Sequence, residues 1–122
     1  MRVVIAGSRS IKYYDQVLCA IINSGYDITE VVSGAAPGID RLGERYADEN
    51  GIPCARFPAN WDLYGKKAGP TRNAQMAAYC DAAIVVWDGK SKGSYNMIQQ
   101  MNRFKKPYFV WKVNVNGTTT SF

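Results

Sequence analysis

The sequence predicts an α/β domain in which helices cover both faces of a five-stranded, essentially parallel sheet. Five short apolar segments, several rich in β-branched residues, alternate with segments of helical periodicity. No linker or internal repeat interrupts this alternation. The length of 122 residues, with 47% hydrophobic and 20% charged residues, is typical of one globular domain. We therefore expect a single-domain, three-layer α/β/α architecture.

The first half of the chain predicts two strands and two helices. Residues 2–6 are a continuous apolar run, which is typical of a strand buried on both faces. A helix is predicted over Tyr14–Ser24, where apolar residues recur at helical spacing before Gly25. The short strand Glu30–Ser33 follows, and a second amphipathic helix begins near Ile39 and ends at an Asn-Gly pair.

The second half continues the alternation, with one less regular segment between its first strand and its first helix. The predicted order is strand, irregular segment, helix, strand, helix and strand, over residues 53–57, 58–69, 70–79, Ala82–Trp87, 95–104 and Tyr108–Val113. The domain is therefore predicted over residues 1–113. Residues 114–122 are polar and rich in threonine, and we expect a loose C-terminal tail.

The composition excludes several kinds of chemistry. The chain has no histidine, which removes Ser-His-Asp and Cys-His catalysis and most zinc sites. Neither a metal nor a cofactor is expected. Cys19, Cys54 and Cys80 have no CxxC spacing and are expected to be free thiols in a reducing compartment. The sequence shows neither a signal-peptide pattern nor a membrane-spanning apolar run, so a cytoplasmic location is expected.

The net charge of +5 favours an anionic ligand, such as a nucleotide or a nucleic acid. The basic residues are scattered along the chain, and plain solubility explains the charge equally well.

Four predicted loops carry residues suited to binding an anion. In parallel α/β sheets the ligand binds beyond the carboxyl ends of the strands, where the strand order switches. Residues 7–10, 34–40, 69–73 and 88–94 lie on that side and contain glycine, serine, arginine and lysine. None matches the GxGxxG fingerprint or a P-loop, so the prediction of a nucleotide-binding crevice depends on the loops together.

The candidate ligand-binding residues can donate to an anion, accept from a sugar or let the backbone approach a ligand. They are Gly7, Ser8, Arg9, Ser33, Gly34, Gly38, Asp40, Arg72, Asn73, Asp88, Gly89, Ser91, Lys92, Gly93 and Ser94.

Asp40 and the pair Trp61 and Tyr64 each have alternative interpretations, and Arg72 predicts a partner. Asp40 is predicted in the first turn of a helix, where a carboxylate either stabilises the helix dipole or accepts from a ribose hydroxyl. Arg72 is predicted in a first turn too, where a cation is unfavourable and an anionic partner is therefore expected. Trp61 and Tyr64, near two lysines, are suited either to base stacking or to covering a sheet edge or a subunit interface.

Four segments together resemble a known superfamily. GSR (7–9), SGAAPGID (33–40), AGPTRNAQM (68–76) and DGKSKGSYN (88–96) resemble, in this order, the YspA and cpYpsA-related branch of the SLOG superfamily. That superfamily includes the LOG phosphoribohydrolases and the Rossmann-like domain of DprA. The resemblance implies a Rossmann-like sheet, a nucleotide or nucleotide-derived ligand, and often a homo-oligomer.

Residue by residue, the resemblance to the LOG enzymes favours binding over catalysis. The segment from Arg72 to Met76 is similar to their Arg-Lys-x-x-Met helix, and Gly93-Ser94 match the Gly-Thr of their phosphate loop. Met97 stands at the position of their catalytic glutamate, and a thioether cannot accept a proton. We therefore expect a binding protein that senses or sequesters a nucleotide, without enzymatic turnover.

Two alternative functions remain open at this stage. One is a nucleotide hydrolase that cleaves a base–ribose bond, with Asp88 or Asp40 as the acid/base group. The other is a DprA-like single-stranded DNA binder that uses the basic loops with Trp61 and Tyr64.

Overall fold

A largely parallel sheet forms the middle layer of the protein, whose computed structural model describes residues 1–114 and the backbone of Thr119–Thr120. The first five strands of the described chain are parallel and lie in the spatial order β3-β2-β1-β4-β5, and a two-residue β6 pairs antiparallel with β5. Their bounds are Arg2–Gly7 (β1), Glu30–Ser33 (β2), Cys54–Arg56 (β3), Ala82–Trp87 (β4), Tyr108–Val113 (β5) and Thr119–Thr120 (β6).

Helices cover both faces of this sheet. Their bounds are Tyr14–Ser24 (α1), Ile39–Glu49 (α2), Trp61–Tyr64 (α3), Ala68–Tyr79 (α4) and Lys92–Arg103 (α5), with a 3₁₀ turn at Gly65–Lys67. Because side chains alternate along β1, Val3 and Ile5 face a core cluster that contains residues of α1 and α2. Val4 and Ala6 face the opposite cluster, which contains residues of α4 and α5. The predicted three-layer architecture is confirmed.

The direction of the chain across the sheet reverses next to β1. From β1 the chain moves outward to β2 and β3, and then crosses to β4 on the other side of β1. The loops that leave β1 and β4 therefore diverge and open a crevice between them. Gly7 allows the two strand ends to approach, because a Cβ there would lie 2.0 Å from the carbonyl oxygen of Val86.

Two helices begin earlier in the chain than the sequence patterns indicate. The helix predicted from residue 70 begins at Ala68, so the Gly69-Pro70 pair lies inside its first turn and does not precede it. The helix predicted from residue 95 begins at Lys92, because the Ser91 side chain caps it. Lys92, Gly93 and Ser94 are therefore the first turn of α5, where a loop was predicted.

Two further segments differ from the predictions. The irregular segment 58–69 contains α3, the 3₁₀ turn and the start of α4. Within the predicted tail, Thr119–Thr120 form β6, while residues 115–118 and 121–122 lie outside the described part of the chain. Among the described residues, no helix has the length and apolar character that crossing a bilayer requires.

Candidate functional site

A cavity of about 540 Å³ opens where the loops after β1 and β4 diverge. Twelve of the residues predicted to bind the ligand or stack on a base line it. They are Gly7, Ser8, Arg9, Asp40, Trp61, Arg72, Asn73, Asp88, Ser91, Lys92, Gly93 and Ser94. Residues from the four predicted loops and from the irregular segment 58–69, which are distant in sequence, thus surround one cavity.

Three of the candidate glycines and Ser33 lie outside the cavity wall, and each of them contacts or closely approaches other protein atoms. A Cβ on Gly34 would lie 2.5 Å from Nη1 of Arg72, and a Cβ on Gly38 would lie 2.5 Å from the carbonyl oxygen of Arg9. Gly89 has a φ of +82° and lies against the Lys112 side chain. The hydroxyl of Ser33 donates to Glu44 at 2.7 Å. The missing side chain at these glycines therefore leaves room for neighbouring protein atoms, whereas the sequence predicted room for a ligand.

Eight other lining residues were not among the candidate ligand-binding residues. They are Ala6, Ser10, Ala36, Gly69, Pro70, Met76, Asn96 and Met97. Helical spacing could have identified several of them, because residues three or four apart share a face. Met76 follows Arg72 by four residues on α4, and Met97 follows Gly93 by four on α5. These two buried thioethers give the cavity an apolar floor.

The first turn of α5 presents unpaired backbone donors at the cavity. The Ser91 side chain caps the helix by accepting from the N–H of Ser94 at 3.3 Å. No described residue supplies an acceptor for the N–H groups of Lys92 and Gly93. A Cβ on Gly93 would meet no atom within 4 Å, so the space beside it is open. The positive end of the helix dipole adds to these donors and favours an anion at this place.

Asp88 holds the loop that leads into this helix. One carboxylate oxygen accepts from the N–H groups of Lys90 and Ser91, each at 2.8 Å, and the N–H of Asp88 donates to the Ser8 hydroxyl at 3.0 Å. Burial acts to raise the pKa of Asp88, but these backbone donors outweigh it and hold the pKa below its usual value. Asp88 is therefore an ionised carboxylate whose hydrogen bonds stabilise its own loop.

Arg72 and Asn73 connect the two sides of the cavity. Arg72 is 9% exposed; its Nη1 donates to the carbonyl of Gly34, and its Nε donates to Oδ1 of Asn73 at 3.0 Å. The Asn73 amide donates to the carbonyl of Gly93 at 3.3 Å and to Oδ1 of Asn96 at 3.0 Å. This chain of hydrogen bonds links the loop after β2 to the start of α5.

The position of Arg72 differs from the sequence prediction in one respect. Because α4 begins at Ala68, Arg72 lies in its second turn, and the first-turn dipole argument does not apply. Burial lowers the pKa of the Arg72 guanidinium, while attraction to Asp40 acts in the opposite direction. The carboxylate that offsets this buried cation is therefore Asp40 of α2.

Asp40 lies in the first turn of α2, as predicted, with a side chain that is 5% exposed. Its Oδ2 accepts from the N–H of Ala36 at 3.2 Å. Burial is the main cause that raises its pKa to about 6, and Glu44 adds to it, whereas the Ala36 N–H, Arg72 and Arg9 act against it. Asp40 thus titrates close to neutral pH, in contrast to Asp88.

The two aromatic candidates differ in position. Trp61 opens the four-residue helix α3, is 52% exposed and lines the cavity, where its ring lies 3.7 Å from the position of a Cβ on Gly69. Tyr64, at the end of the same helix, is exposed and does not line the cavity. Of the two, only Trp61 is therefore placed to contact a ligand in this cavity.

The chain is similar to known proteins in both sequence and structure. The profile of the YAcAr family, the YspA, cpYpsA-related SLOG family, matches residues 1–64. The gene 61 protein of Mycobacterium phage D29 is 30% identical over 84% of this chain and 89% of that protein. DNA processing protein A (DprA) from Streptococcus pneumoniae superposes with a TM-score of 0.69 at 20% identity, covering 89% of this chain and 49% of that chain. This chain spans about half the length of the DprA structure, and the two share a fold.

Proposed function

Because the chain belongs to the YspA, cpYpsA-related SLOG family, we propose that it binds a nucleotide or a nucleotide-derived ligand in the cavity beside β1 and β4. The family and the Rossmann-like fold support a function connected with nucleotides or nucleic acids in general. The residues around the cavity support the more specific proposal.

The observation that carries the proposal is the exposed first turn of α5. The N–H groups of Lys92 and Gly93 have no acceptor among the described residues, and they lie in the wall of a cavity that Arg9 also lines. Backbone donors at a helix start, together with a guanidinium and the Lys92 ammonium, suit a phosphate group. A phosphate bound here would satisfy donors that the protein leaves open.

The remainder of the cavity suits the rest of a nucleotide. Its volume of about 540 Å³ lies within the usual range for small-molecule sites. Met76 and Met97 form an apolar floor, and the exposed ring of Trp61 at the edge is suited to stacking on a base. We place the phosphate at α5 and the base toward Trp61.

We propose binding without turnover, as the sequence indicates. The Met97 thioether, at the position of the catalytic glutamate in LOG enzymes, lines the cavity and can transfer no proton. Asp88 is held ionised by the backbone donors of its own loop. Neither side chain is therefore suited to protonate a leaving base.

The proposal is tested by measuring the binding of a panel of nucleotides by thermal shift and calorimetry. The panel contains nucleoside monophosphates, NAD and ADP-ribose. Arg9→Ala should weaken the best ligand about three- to tenfold, because it removes one cation from the phosphate subsite. Lys12→Ala is the matched control, since it removes an exposed cation outside the cavity wall and should leave affinity unchanged. Failure of every nucleotide to bind, or an equal loss in both variants, would refute the proposal.

Hydrolysis is a second candidate because Asp40 lines the cavity and burial raises its pKa to about 6, close to the range in which a general acid works. Chromatography of the incubated nucleotide panel distinguishes the two functions, since only a hydrolase releases free base.

Oligonucleotide binding with a steep salt dependence and no response to mononucleotides would favour the DNA-binding alternative. Native mass spectrometry of the same sample would test the predicted homo-oligomer and identify any co-purified nucleotide.

A further inference from the structure

Asp40 presents one carboxylate oxygen to the cavity without a partner from the protein. Its Oδ2 accepts from the Ala36 N–H and lies 2.7 Å from the position of a Cβ on Gly34, so this oxygen is turned toward the loop after β2. Among the described residues, no group donates a hydrogen bond to Oδ1. Asp40 is 5% exposed and lines the cavity, so Oδ1 is an acceptor without a protein donor that a ligand can reach.

Asp40 is itself the anion that the nearby cations attract at this point. Arg72 of α4 and Arg9 of the loop after β1 attract its charge, while Glu44, one turn along α2, repels it. Glu44 itself pairs with Arg56 at 3.1 Å and with Arg41 at 3.4 Å. A phosphate is mostly deprotonated at neutral pH and would repel Asp40. The partner that suits Oδ1 is therefore a neutral donor such as a hydroxyl.

The arrangement of the cavity indicates which hydroxyl this is. Arg9, which we assign to the phosphate subsite, also acts on Asp40, so Asp40 lies near the phosphate end of the ligand. Trp61, assigned to the base, lies at the edge formed by α3 and α4. In a nucleotide, the group between the phosphate and the base is the sugar.

We propose that Oδ1 of Asp40 accepts a hydrogen bond from a sugar hydroxyl, so that the cavity selects ribonucleotides over their deoxyribose counterparts. This inference rests on the proposed function and adds the ligand class to it. Without the hydroxyl, Oδ1 loses the donor that the ligand supplies, and an unsatisfied carboxylate oxygen makes such a site discriminate strongly against the analogue that lacks the hydroxyl. It also makes single-stranded DNA a poor ligand for this cavity.

The test uses the ribonucleoside monophosphate whose base binds most tightly. Its affinity is compared with those of its 2′-deoxy and 3′-deoxy forms by calorimetry at pH 8. On the wild-type protein, at least one deoxy form should bind about tenfold or more weakly. Asp40→Asn should keep binding the ribonucleotide and reduce that ratio to about threefold or less, because a neutral amide makes a weaker contact. The matched control Asp15→Asn, an exposed carboxylate on α1, should keep the wild-type ratio.

The outcomes separate the two proposals. If the wild-type protein binds the ribose and both deoxy forms alike, the role of Asp40 is wrong while nucleotide binding stands. A ratio that persists in Asp40→Asn, measured on protein with a cooperative unfolding transition, also overturns the role of Asp40. If no ribonucleotide binds the wild-type protein, nucleotide binding itself is wrong.

Discussion

Two aspartates in the same cavity wall have opposite environments. Asp88, after β4, receives two backbone N–H groups, and its pKa is lowered. Asp40, after β2, receives one N–H group and is almost completely buried, and its pKa is raised to about 6. The comparison shows that residue type and proximity to a cavity do not decide whether a carboxylate stabilises the fold or contacts a ligand. The number of donors that the protein itself supplies to each carboxylate is the better guide.

The difference separates a side of the cavity that offers hydrogen-bond donors from a side that offers an acceptor. On the Asp88 side, the carboxylate is satisfied by its own loop, and the open groups are backbone donors at the start of α5. On the Asp40 side, the open group is an acceptor. An anion fits the first side and a neutral donor fits the second, which is how phosphate and sugar are arranged in a nucleotide.

The largest effect should come from breaking the link between the two sides. Arg72→Met leaves the Gly34 carbonyl and Oδ1 of Asn73 without their donor, and it leaves Asp40 without its buried cation. We expect a loss of about 3 kcal/mol in the free energy of unfolding, measured in urea. Arg45→Met is the control, because it removes the exposed pair with Glu49 and should cost less than about 1 kcal/mol. Equal losses would show that Arg72 does not act as a buried link.

The pH dependence of stability should have opposite signs for the two aspartates. The folded-state pKa of Asp40 is raised, so its favourable contribution is complete below its unfolded pKa and is lost as pH rises through about 6. Relative to Asp40→Asn, the wild type should therefore lose about 2–3 kcal/mol between roughly pH 4 and pH 7. The groups that face Asp40 and set this window are Arg9, Arg72 and Glu44.

Asp88 should show the reverse dependence in the same urea experiments. Its folded-state pKa is lowered, so its contribution is present above the unfolded pKa and is lost as pH falls through the folded one. The wild type should lose stability relative to Asp88→Asn only below about pH 4, the unfolded pKa of an aspartate. If both aspartates gave the same sign, their assigned environments would be wrong.

A smaller effect is expected when Asp88 is truncated. Asp88→Ala removes the acceptor for two backbone N–H groups and should cost about 1 kcal/mol of stability, with several-fold weaker nucleotide binding. Asp88→Asn keeps an oxygen acceptor and should bind almost as well as the wild type. Calorimetry of the two variants measures this, and an asparagine variant as defective as the alanine variant would point to a role for the charge itself.

The fold could be predicted from the sequence because its signals are local. The bounds of Tyr14–Ser24, Glu30–Ser33, Ala82–Trp87 and Tyr108–Val113 agree with the structure, since each depends on apolar periodicity and flanking turn residues. The SLOG family was also predicted from the sequence and is confirmed. Helix starts were predicted less well. Pro70 resembles a first helical residue but lies third in α4.

The cavity was predicted in outline and not in detail, for a physical reason. The order of strands and helices predicts which loops meet, and twelve of the candidate residues line the cavity. A glycine that admits a ligand and one that admits a neighbouring side chain look alike in sequence, so Gly34 and Gly38 were assigned to the ligand. The contrast between Asp40 and Asp88 depends on three-dimensional hydrogen-bond partners, which no local pattern contains.

The most direct test of nucleotide binding at α5 is a backbone amide NMR titration of the wild-type protein with the tightest-binding ribonucleotide. We expect the Lys92 and Gly93 amide resonances to show the largest chemical-shift changes, because their N–H groups would receive the phosphate. The amides of Asp15 and Gln16 on α1, which do not line the cavity, should stay nearly unchanged. Saturable binding with Lys92 and Gly93 unmoved, and the largest changes elsewhere, would contradict the proposed site.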